Sequence, residues 1–339
     1  MRATTLRGGL SLSALGLGVA QFGNLYRETS EEEAASAIDA AWQAGIRYFD
    51  TAPHYGLGLS ERRLGALLKQ KPRDEFVLST KVGRLLEPNP GGEARQDDDM
   101  FVVPAAHVRR WDFSADGVRR SIDESLDRLG LDRIDIAYLH DPDDFGDQAI
   151  REAIPALIDL RDQGVIGAVG AGMNQSELPA RFIHETDIDL IMLAGRFTLL
   201  EQGALRDLLP LAEQHRVGIV IAGVYNSGLL ASPRPDADAK YNYDRAPAEL
   251  IARANAIADA CERHGVDLPT AALAFVARHP AVASVVVGAR TGAQVRSNVE
   301  RFETPVPEGL WRDLEREGLI PALTSQPSPQ CPAEIRRTS

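Results

Sequence analysis

Three predicted strands end in side chains that exchange protons, and a tyrosine follows just beyond the first of them. The residues are Asp50, Tyr55, Lys81 and His140. A phenol has a pKa of about 10, and a neighbouring ammonium group lowers it by favouring the ionised form. We therefore expect Lys81 to lower the pKa of Tyr55 and to pair with Asp50, leaving His140 to hydrogen-bond the reacting oxygen. Such a group suits proton transfer at a carbonyl or a hydroxyl, and it predicts neither a metal site nor a nucleophilic one.

Each residue also has a structural interpretation when it is taken singly. An aspartate at a strand end often caps a turn, a lysine there is commonly solvated, and a histidine often serves as a structural hydrogen-bonding group. The functional interpretation depends on the three strands being parallel neighbours, because the carboxyl ends of such strands meet at one face.

The hydrophobic pattern predicts eight strands that alternate with helices, with no change of composition that would mark a linker. The predicted strands are 14–19, 46–50, 76–80, 134–139, 165–171, 190–194, 218–222 and 282–287. The predicted helices are 31–44, 60–69, 114–129, 148–163, 175–185, 203–215, 247–264, 269–278 and 292–301. This order favours an α/β fold, a single (β/α)8 TIM barrel. A doubly wound sheet is the alternative, but its G-x-G-x-x-G fingerprint is missing, since Gly16-Leu17-Gly18 is followed by Gln21 at the third glycine position.

The segments outside this alternation are short. The pattern of residues 1–12 predicts an N-terminal hairpin that turns at Gly8-Gly9. Residues 305–339 are predicted to form a C-terminal extension with a helix near 311–317. We expect one domain over residues 1–324 and a disordered tail over 325–339. Residues 83–111 have low periodicity, which is typical of a functional lid or a disordered loop.

The composition of the chain indicates which classes of partner and which cellular compartment to expect. The chain has 339 residues, with 37 Lys and Arg against 49 Asp and Glu, so the net charge is −12. An acidic chain without basic clusters predicts neither a nucleic-acid nor a membrane partner. The two cysteines, Cys261 and Cys331, have no metal-ligand spacing, so a reducing cytoplasm is expected. The apolar stretch 10–20 is too short to span a bilayer and is interpreted as the first strand rather than a signal peptide.

Three motifs carry a family resemblance. F-D-T-A-P-H-Y-G at 49–56, S-T-K-V-G at 79–83 and L-H-D-P-D at 139–143 resemble the tetrad motifs of the aldo-keto reductase superfamily. The resemblance covers 15–319 and implies a (β/α)8 barrel that binds NAD(P)H at its carboxyl mouth. It implies that Tyr55 is the general acid/base, Lys81 its pKa depressor, Asp50 the partner of Lys81, and His140 the group that orients the substrate.

The cofactor motifs of the family are less regular here. The family motif G-V-S-N corresponds to G-A-G-M-N at 170–174, which implies that Gly172 and Asn174 bind the cofactor. Ala194 stands where the family has a glutamine, and Ala222 where it has an aromatic residue, although Tyr225 is close by. The adenosine segment implies Gly288, Arg290, Gln294 and Asn298 as further cofactor-binding residues. Gly288 and Gln294 replace the Lys and Arg of NADP-preferring members, which leaves Arg290 alone for a 2′-phosphate and favours NAD or dual use over NADP.

Two further segments, G-A-G-M-N-Q and A-G-R-F-T-L-L-E-Q, are similar to a narrower branch of aldose 1-dehydrogenases and pyridoxal 4-dehydrogenase. The resemblance implies oxidation of a free aldose such as L-fucose, D-arabinose or L-galactose to its lactone. Sugar hydroxyls need polar partners, for which His54, Trp111, Asp141 and Arg196 are candidates, although Trp111 and Asp141 also suit packing and turn capping. An NADPH-dependent aldehyde or ketone reductase, a pyridoxal dehydrogenase and a cofactor-binding regulatory protein are the alternative functions.

Overall fold

The computed structural model describes residues 1–236, 238–242 and 244–323. Its strands are β1 (Ala3–Thr5), β2 (Ser11–Ser13), β3 (Leu15–Gly18), β4 (Tyr48–Asp50), β5 (Val77–Val82), β6 (Arg84–Pro88), β7 (His107–Trp111), β8 (Ile136–His140), β9 (Ala168–Met173), β10 (Leu190–Ala194), β11 (Gly218–Ala222), β12 (Lys240–Tyr241), β13 (Asp244–Arg245) and β14 (Val282–Gly288). Eight of them close a barrel in the order β3-β4-β5-β8-β9-β10-β11-β14, and β14 pairs with β3 in parallel. The predicted (β/α)8 barrel is confirmed.

Helices surround the barrel. They are α1 (Glu31–Gln43), α2 (Leu59–Leu68), α3 (Ala115–Leu129), α4 (Gly146–Gln148), α5 (Ile154–Asp162), α6 (Glu177–Glu185), α7 (Leu208–His215), α8 (Ala248–Arg263), α9 (Leu268–Val276), α10 (Gly292–Glu303) and α11 (Glu308–Arg316). One π turn, Ala149–Ala153, joins α4 to α5, so the helix predicted at 148–163 begins slightly earlier. No helix within the described ranges is long and apolar enough to cross a membrane.

Local sequence explains where several helices begin. Ser30 caps α1 by accepting a hydrogen bond from the Glu33 backbone amide at 3.1 Å, and the Glu33 carboxylate accepts one from the Ser30 amide at 3.0 Å. This reciprocal pair satisfies two amides that the first helical turn leaves without partners. Ser114 caps α3 in the same manner through its side chain, and Gly130 ends that helix in a left-handed conformation.

The N-terminal hairpin, β1 with β2, closes the amino end of the barrel. Leu6 and Leu12 from this hairpin are buried in a cluster that also contains the barrel side chains Tyr48 and Tyr138. The hydroxyls of these tyrosines hydrogen-bond at 2.9 Å, so the layer is packed and its polar atoms are satisfied. The barrel is therefore filled below the carboxyl mouth where the tetrad lies.

The segment 83–111 is an ordered antiparallel hairpin with a compact tip, which corrects the loop interpretation. β6 pairs with β7 in the register Arg84↔Trp111, and Leu86, Phe101 and Val103 bury their side chains against Leu57. Its tip is held by the Arg109 guanidinium, which donates two hydrogen bonds of 2.7 Å to the buried Asp97 carboxylate. A bidentate pair of this kind fixes geometry as well as adding energy. A second short antiparallel pair, β12 with β13, lies between β11 and α8.

Gly65 lies where α2 and α3 approach closely, and it supplies a test of the packing. A Cβ at Gly65 would lie 1.9 Å from the backbone oxygen of Leu129. Alanine is the better helix former by about 1 kcal/mol, but overpacking costs about 1–3 kcal/mol. We expect Gly65→Ala to lower the free energy of unfolding in urea, whereas Gly203→Ala, where a Cβ meets nothing within 4 Å, should change it by less than about 0.5 kcal/mol. A stabilised Gly65→Ala protein would contradict this packing.

Candidate functional site

The tetrad side chains meet because β4, β5 and β8 are consecutive strands of the barrel. Asp50 is the last residue of β4, Lys81 lies near the end of β5, and His140 is the last residue of β8. Tyr55 lies in the turn after β4, where the backbone of Gly56 approaches that of Gly23. A Cβ on Gly56 would lie 2.3 Å from the Gly23 oxygen, so this contact requires glycine and holds the turn in place.

Lys81 is the centre of the hydrogen-bond network. Its ammonium donates to Asp50 Oδ2 at 2.7 Å, to the Thr51 carbonyl at 3.0 Å and to the Tyr55 hydroxyl at 3.1 Å. The other Asp50 oxygen accepts a hydrogen bond of 2.7 Å from the Ser79 hydroxyl. All three donors of the ammonium are used, so Lys81 is held in one geometry between the carboxylate and the phenol.

Burial and charge act in opposite directions on this pair. Burial alone would lower the pKa of Lys81, but the Asp50 charge and the contact with Tyr55 raise it, so the ammonium form is retained. Burial raises the pKa of Tyr55, and Lys81 lowers it only in part, so the net pKa lies above the usual value of about 10. Lys81 thus acts on the pKa of Tyr55 in the expected direction, but desolvation outweighs the ammonium charge in the net shift.

Two histidine rings, His54 and His140, lie beside Tyr55, and their lowered pKa values favour the neutral form. Burial, reinforced by the charges of Arg84 and Lys81, brings the pKa of His140 well below its usual range, and burial lowers the pKa of His54 to about 2. The ring centroids of His140 and Tyr55 are 5.8 Å apart and nearly perpendicular. Within the described part of the chain, the Nδ1 atoms of His54 and His140 are buried and have no hydrogen-bond partner.

A cleft with a volume of about 480 Å³ opens above the tetrad. Asp50, Tyr55, Lys81 and His140 form its floor. From there it extends along the ends of β9, β11 and β14, where its lining includes Gly172, Asn174, Tyr225 and Gly288. The hairpin contributes Met100 and Phe101 to the opposite wall.

The predicted cofactor residues divide into two groups. Gly172, Asn174 and Gly288 line the cleft. The others lie outside that lining, and their side chains bond to the protein itself. Gln294 completes the capping box of α10, and Asn298 accepts a hydrogen bond of 3.2 Å from the Tyr225 hydroxyl.

Arg290 braces the loop before α1. Its guanidinium donates to the carbonyls of Leu25 at 2.7 Å and Arg27 at 2.9 Å, and also to the Thr29 hydroxyl. Both terminal nitrogens are thus engaged by the protein. The prediction that Arg290 remains available for a phosphate group does not agree with this geometry.

The four predicted substrate residues lie in different places, and only some of them line the cleft. His54 and Asp141 line the cleft. Trp111 instead stacks on Phe113 and Phe145, with ring centroids 6.0 and 5.9 Å away, which favours the packing interpretation. Arg196 borders a second cavity of about 380 Å³ that shares Asn174 with the cleft.

Sequence reasoning missed several residues of the cleft. Phe101 and Met100 lie in a segment without periodicity, so no local signal indicated that they would reach the tetrad. Gln21 does carry a signal, since it follows the carboxyl end of β3, where binding residues of a barrel collect. Its Oε1 is buried without a hydrogen-bond partner in the part of the chain described.

Comparisons with known proteins show which family the chain belongs to. Residues 14–316 match the Aldo/keto reductase family. The chain is 51% identical over 318 residues to D-threo-aldose 1-dehydrogenase of a Pseudomonas species, covering 92% of this chain and 96% of that protein. It is 41% identical over 331 residues to pyridoxal 4-dehydrogenase of Microbacterium luteolum, covering 93% and 96%. Among solved structures, the holo form of an aldo-keto reductase from Bacillus halodurans matches with a TM-score of 0.75 at 27% identity, covering 96% and 99%.

These matches confirm the resemblance predicted from the three motifs, including the branch. They extend over the whole barrel, from β3 to α11, and not only over the strands that carry the tetrad. The chain belongs to the aldo/keto reductase family and is an NAD(P)-dependent oxidoreductase.

Proposed function

We propose that this enzyme oxidises the anomeric carbon of a free aldose of the L-fucose, D-arabinose or L-galactose type to the lactone. The observation that carries the proposal is the hydrogen bond of 3.1 Å between the Lys81 ammonium and the Tyr55 hydroxyl, with His140 beside it, at the floor of an open cleft. The 51% identity to D-threo-aldose 1-dehydrogenase supports an aldose as the substrate. The four-residue site is proposed to be catalytic.

In this mechanism the sugar hydroxyl lies against Tyr55, which accepts its proton as the anomeric C–H bond breaks. Tyr55 must be a phenolate to accept this proton and becomes a phenol, and Lys81 favours the phenolate beforehand because its ammonium donates to the same oxygen. The neutral ring of His140 orients the hydroxyl by a hydrogen bond without adding a charge. A bound nicotinamide would supply the hydride acceptor that this oxidation of the anomeric carbon to a lactone carbonyl requires.

The cleft fits such a cofactor. It runs from the tetrad to Gly288, and Gly172 at its centre leaves room, since a Cβ there would meet the Lys81 side chain only at 3.7 Å. Gln21 lines the same cleft, and among the described residues its buried Oε1 has no hydrogen-bond partner. Asn174 and Gly172 would hold the nicotinamide end and Gly288 the adenosine end.

We infer a preference for NAD over NADP. A 2′-phosphate requires charge-assisted donors. Gly288 and Gln294 are uncharged, and the Arg290 guanidinium is engaged by the carbonyls of Leu25 and Arg27. These contacts support the use of NAD, with Gln294 and Asn298 near the adenosine.

Two substitutions that add positively charged side chains should shift the cofactor preference towards NADP. We expect Gly288→Lys with Gln294→Arg to raise the ratio of kcat/KM for NADP to that for NAD about 10-fold, equivalent to about 1.4 kcal/mol. The lysine must displace Gln21 Nε2, which lies 2.5 Å from a Cβ at position 288, and this is feasible because a flexible side-chain end moves. The arginine removes the Gln294 half of the capping box of α10 but leaves the Thr291 cap in place, which costs less than about 1 kcal/mol of stability. Gly288→Gln, which adds bulk without charge, is the matched control, and an unchanged ratio in the double variant would place the adenosine elsewhere.

Pyridoxal is the second candidate substrate, because the chain is 41% identical to a pyridoxal 4-dehydrogenase. Pyridoxal also closes into a hemiacetal, so the same proton acceptor would serve. The measurement that separates the candidates is the appearance of reduced nicotinamide with L-fucose, D-arabinose, L-galactose and pyridoxal, each with NAD and with NADP. Turnover of an aldose with NAD supports the proposal. Cofactor binding without turnover of any of the four would overturn it and favour an aldehyde reductase or a regulatory protein.

A further inference from the structure

Asp141 presents a carboxylate to the cleft directly after His140. Its backbone is left-handed, with φ of 46°, and its amide donates to the Gly172 carbonyl at 3.0 Å. A left-handed aspartate is tolerated better than most residues because its short polar side chain makes local contacts. The side chain lines the cleft and is 31% exposed.

Arg84, the first residue of the hairpin strand β6, forms an ion pair with this carboxylate. Its guanidinium donates a hydrogen bond to Asp141 Oδ2 and lies over the Trp111 ring, 4.2 Å from the centroid. The arginine side chain is only 13% exposed. Trp111 packs against Phe113 and Phe145, whose own ring centroids are 5.2 Å apart, so the guanidinium lies against a cluster of three aromatic rings.

The Asp141 carboxylate is held by the protein and is also accessible from the cleft. Oδ2 is engaged by Arg84 and lies 3.7 Å from His140 Nε2. The carboxylate is not sealed from solvent, since the Asp141 side chain is 31% exposed and lines the cleft. A carboxylate oxygen held in this way is a strong acceptor for a hydroxyl group. Because Arg84 balances the charge, the site suits an uncharged polyhydroxyl compound better than a cation.

We propose that Asp141 selects aldoses by accepting a hydrogen bond from a ring hydroxyl other than the anomeric one, and that Arg84 is the positioning residue that aims it. The inference rests on the proposed aldose dehydrogenase activity and adds the residues that recognise the sugar. It also gives the hairpin a role: Arg84 and Trp111 form one register pair, so β6 and β7 together hold the carboxylate.

The test compares a sugar with an aldehyde that has no hydroxyl groups. Arg84→Met should lower kcat/KM for oxidation of the best aldose about 10-fold or more, mainly through KM. Reduction of propanal with NADH should change by less than about twofold, because propanal offers Asp141 no hydroxyl. Arg84→Lys should recover part of the loss. Arg110→Met is the matched control, since Arg110 lies on the same hairpin with 44% exposure and pairs with Glu87.

Asp141→Asn provides a second route if Arg84→Met does not fold. Asparagine accepts the left-handed backbone and keeps the shape, so its loss should again be confined to the aldose. The double variant should lose no more activity than the worse single variant, since both changes remove the same interaction.

Equal losses for aldose and propanal, or an unchanged aldose KM, would overturn the assignment. A wild-type enzyme that reduces propanal but oxidises no aldose would overturn the proposed function as well, so the two failures are distinguishable.

Discussion

Replacing Tyr55 by phenylalanine is expected to abolish measurable aldose oxidation, lowering kcat by about 10²- to 10⁴-fold. The change removes one oxygen, which is the proposed acceptor of the substrate proton, and leaves the ring between His140 and Phe101 in place. Affinity for NADH should stay within about twofold, because the phenol lies at the floor of the cleft and not along its length. Steady-state rates and a fluorescence titration of NADH measure the two effects separately.

The control for this experiment is Tyr241→Phe. The Tyr241 hydroxyl donates to Glu201 at 2.7 Å, and neither residue belongs to the lining of the cleft. Its removal should leave kcat unchanged within about twofold. Near-normal turnover in Tyr55→Phe would show that another group transfers the proton and would remove the basis of the mechanism.

Replacing Lys81 by methionine is the change with the largest expected effect on stability. Asp50 is 3% exposed, and loss of Lys81 would leave a buried carboxylate that, among the described residues, keeps the Ser79 hydroxyl as a donor. Removal of one partner from a buried ion pair costs about 3–5 kcal/mol. We expect a decrease of that size in the free energy of unfolding in urea. Lys71→Met, which removes an ion pair of 3.0 Å to the exposed Asp39, should cost less than about 1 kcal/mol.

The same variant also changes the pH dependence of catalysis. Oxidation requires Tyr55 to accept a proton, so its rate should rise with pH towards the pKa of Tyr55, which burial places above the usual value. Lys81 lowers this pKa in part, and its removal therefore moves the alkaline rise to still higher pH. A residual activity in Lys81→Met with the same pH profile as wild type would contradict the role assigned to the ammonium group. So would a loss of stability no larger than that of Lys71→Met.

The hairpin 84–111 shows how a long-range contact determines the mouth of the site. Its order comes from pairing between β6 and β7 and from the Arg109–Asp97 ion pair, both of which join residues far apart in sequence. Its tip then packs on the loop before α1, where the Val102 amide donates to the Asn24 carbonyl at 3.0 Å. Such contacts leave no hydrophobic periodicity, which is why the segment resembled a loop.

The sequence by itself determined the barrel and the identity of the tetrad. Each strand is a short apolar run between turn residues, and each tetrad residue follows such a run, so local pattern and the geometry of parallel strands were sufficient. The strand boundaries at β10 and β11 agree with those expected, because buried strands are bounded sharply by glycine and polar residues. The adjacency of Asp50, Lys81 and His140 followed from strand order alone.

Only the tertiary structure decided how those residues behave. The pKa of Tyr55 depends on burial, which a spacing of residues does not contain, so the sign of its net shift could not be foreseen. Arg290 is engaged because the loop 25–29 folds against it, and Arg84 reaches Asp141 because the hairpin folds beside β8. Side-chain direction and desolvation are set by packing between distant segments, and these two quantities determine which charged groups are available to a ligand.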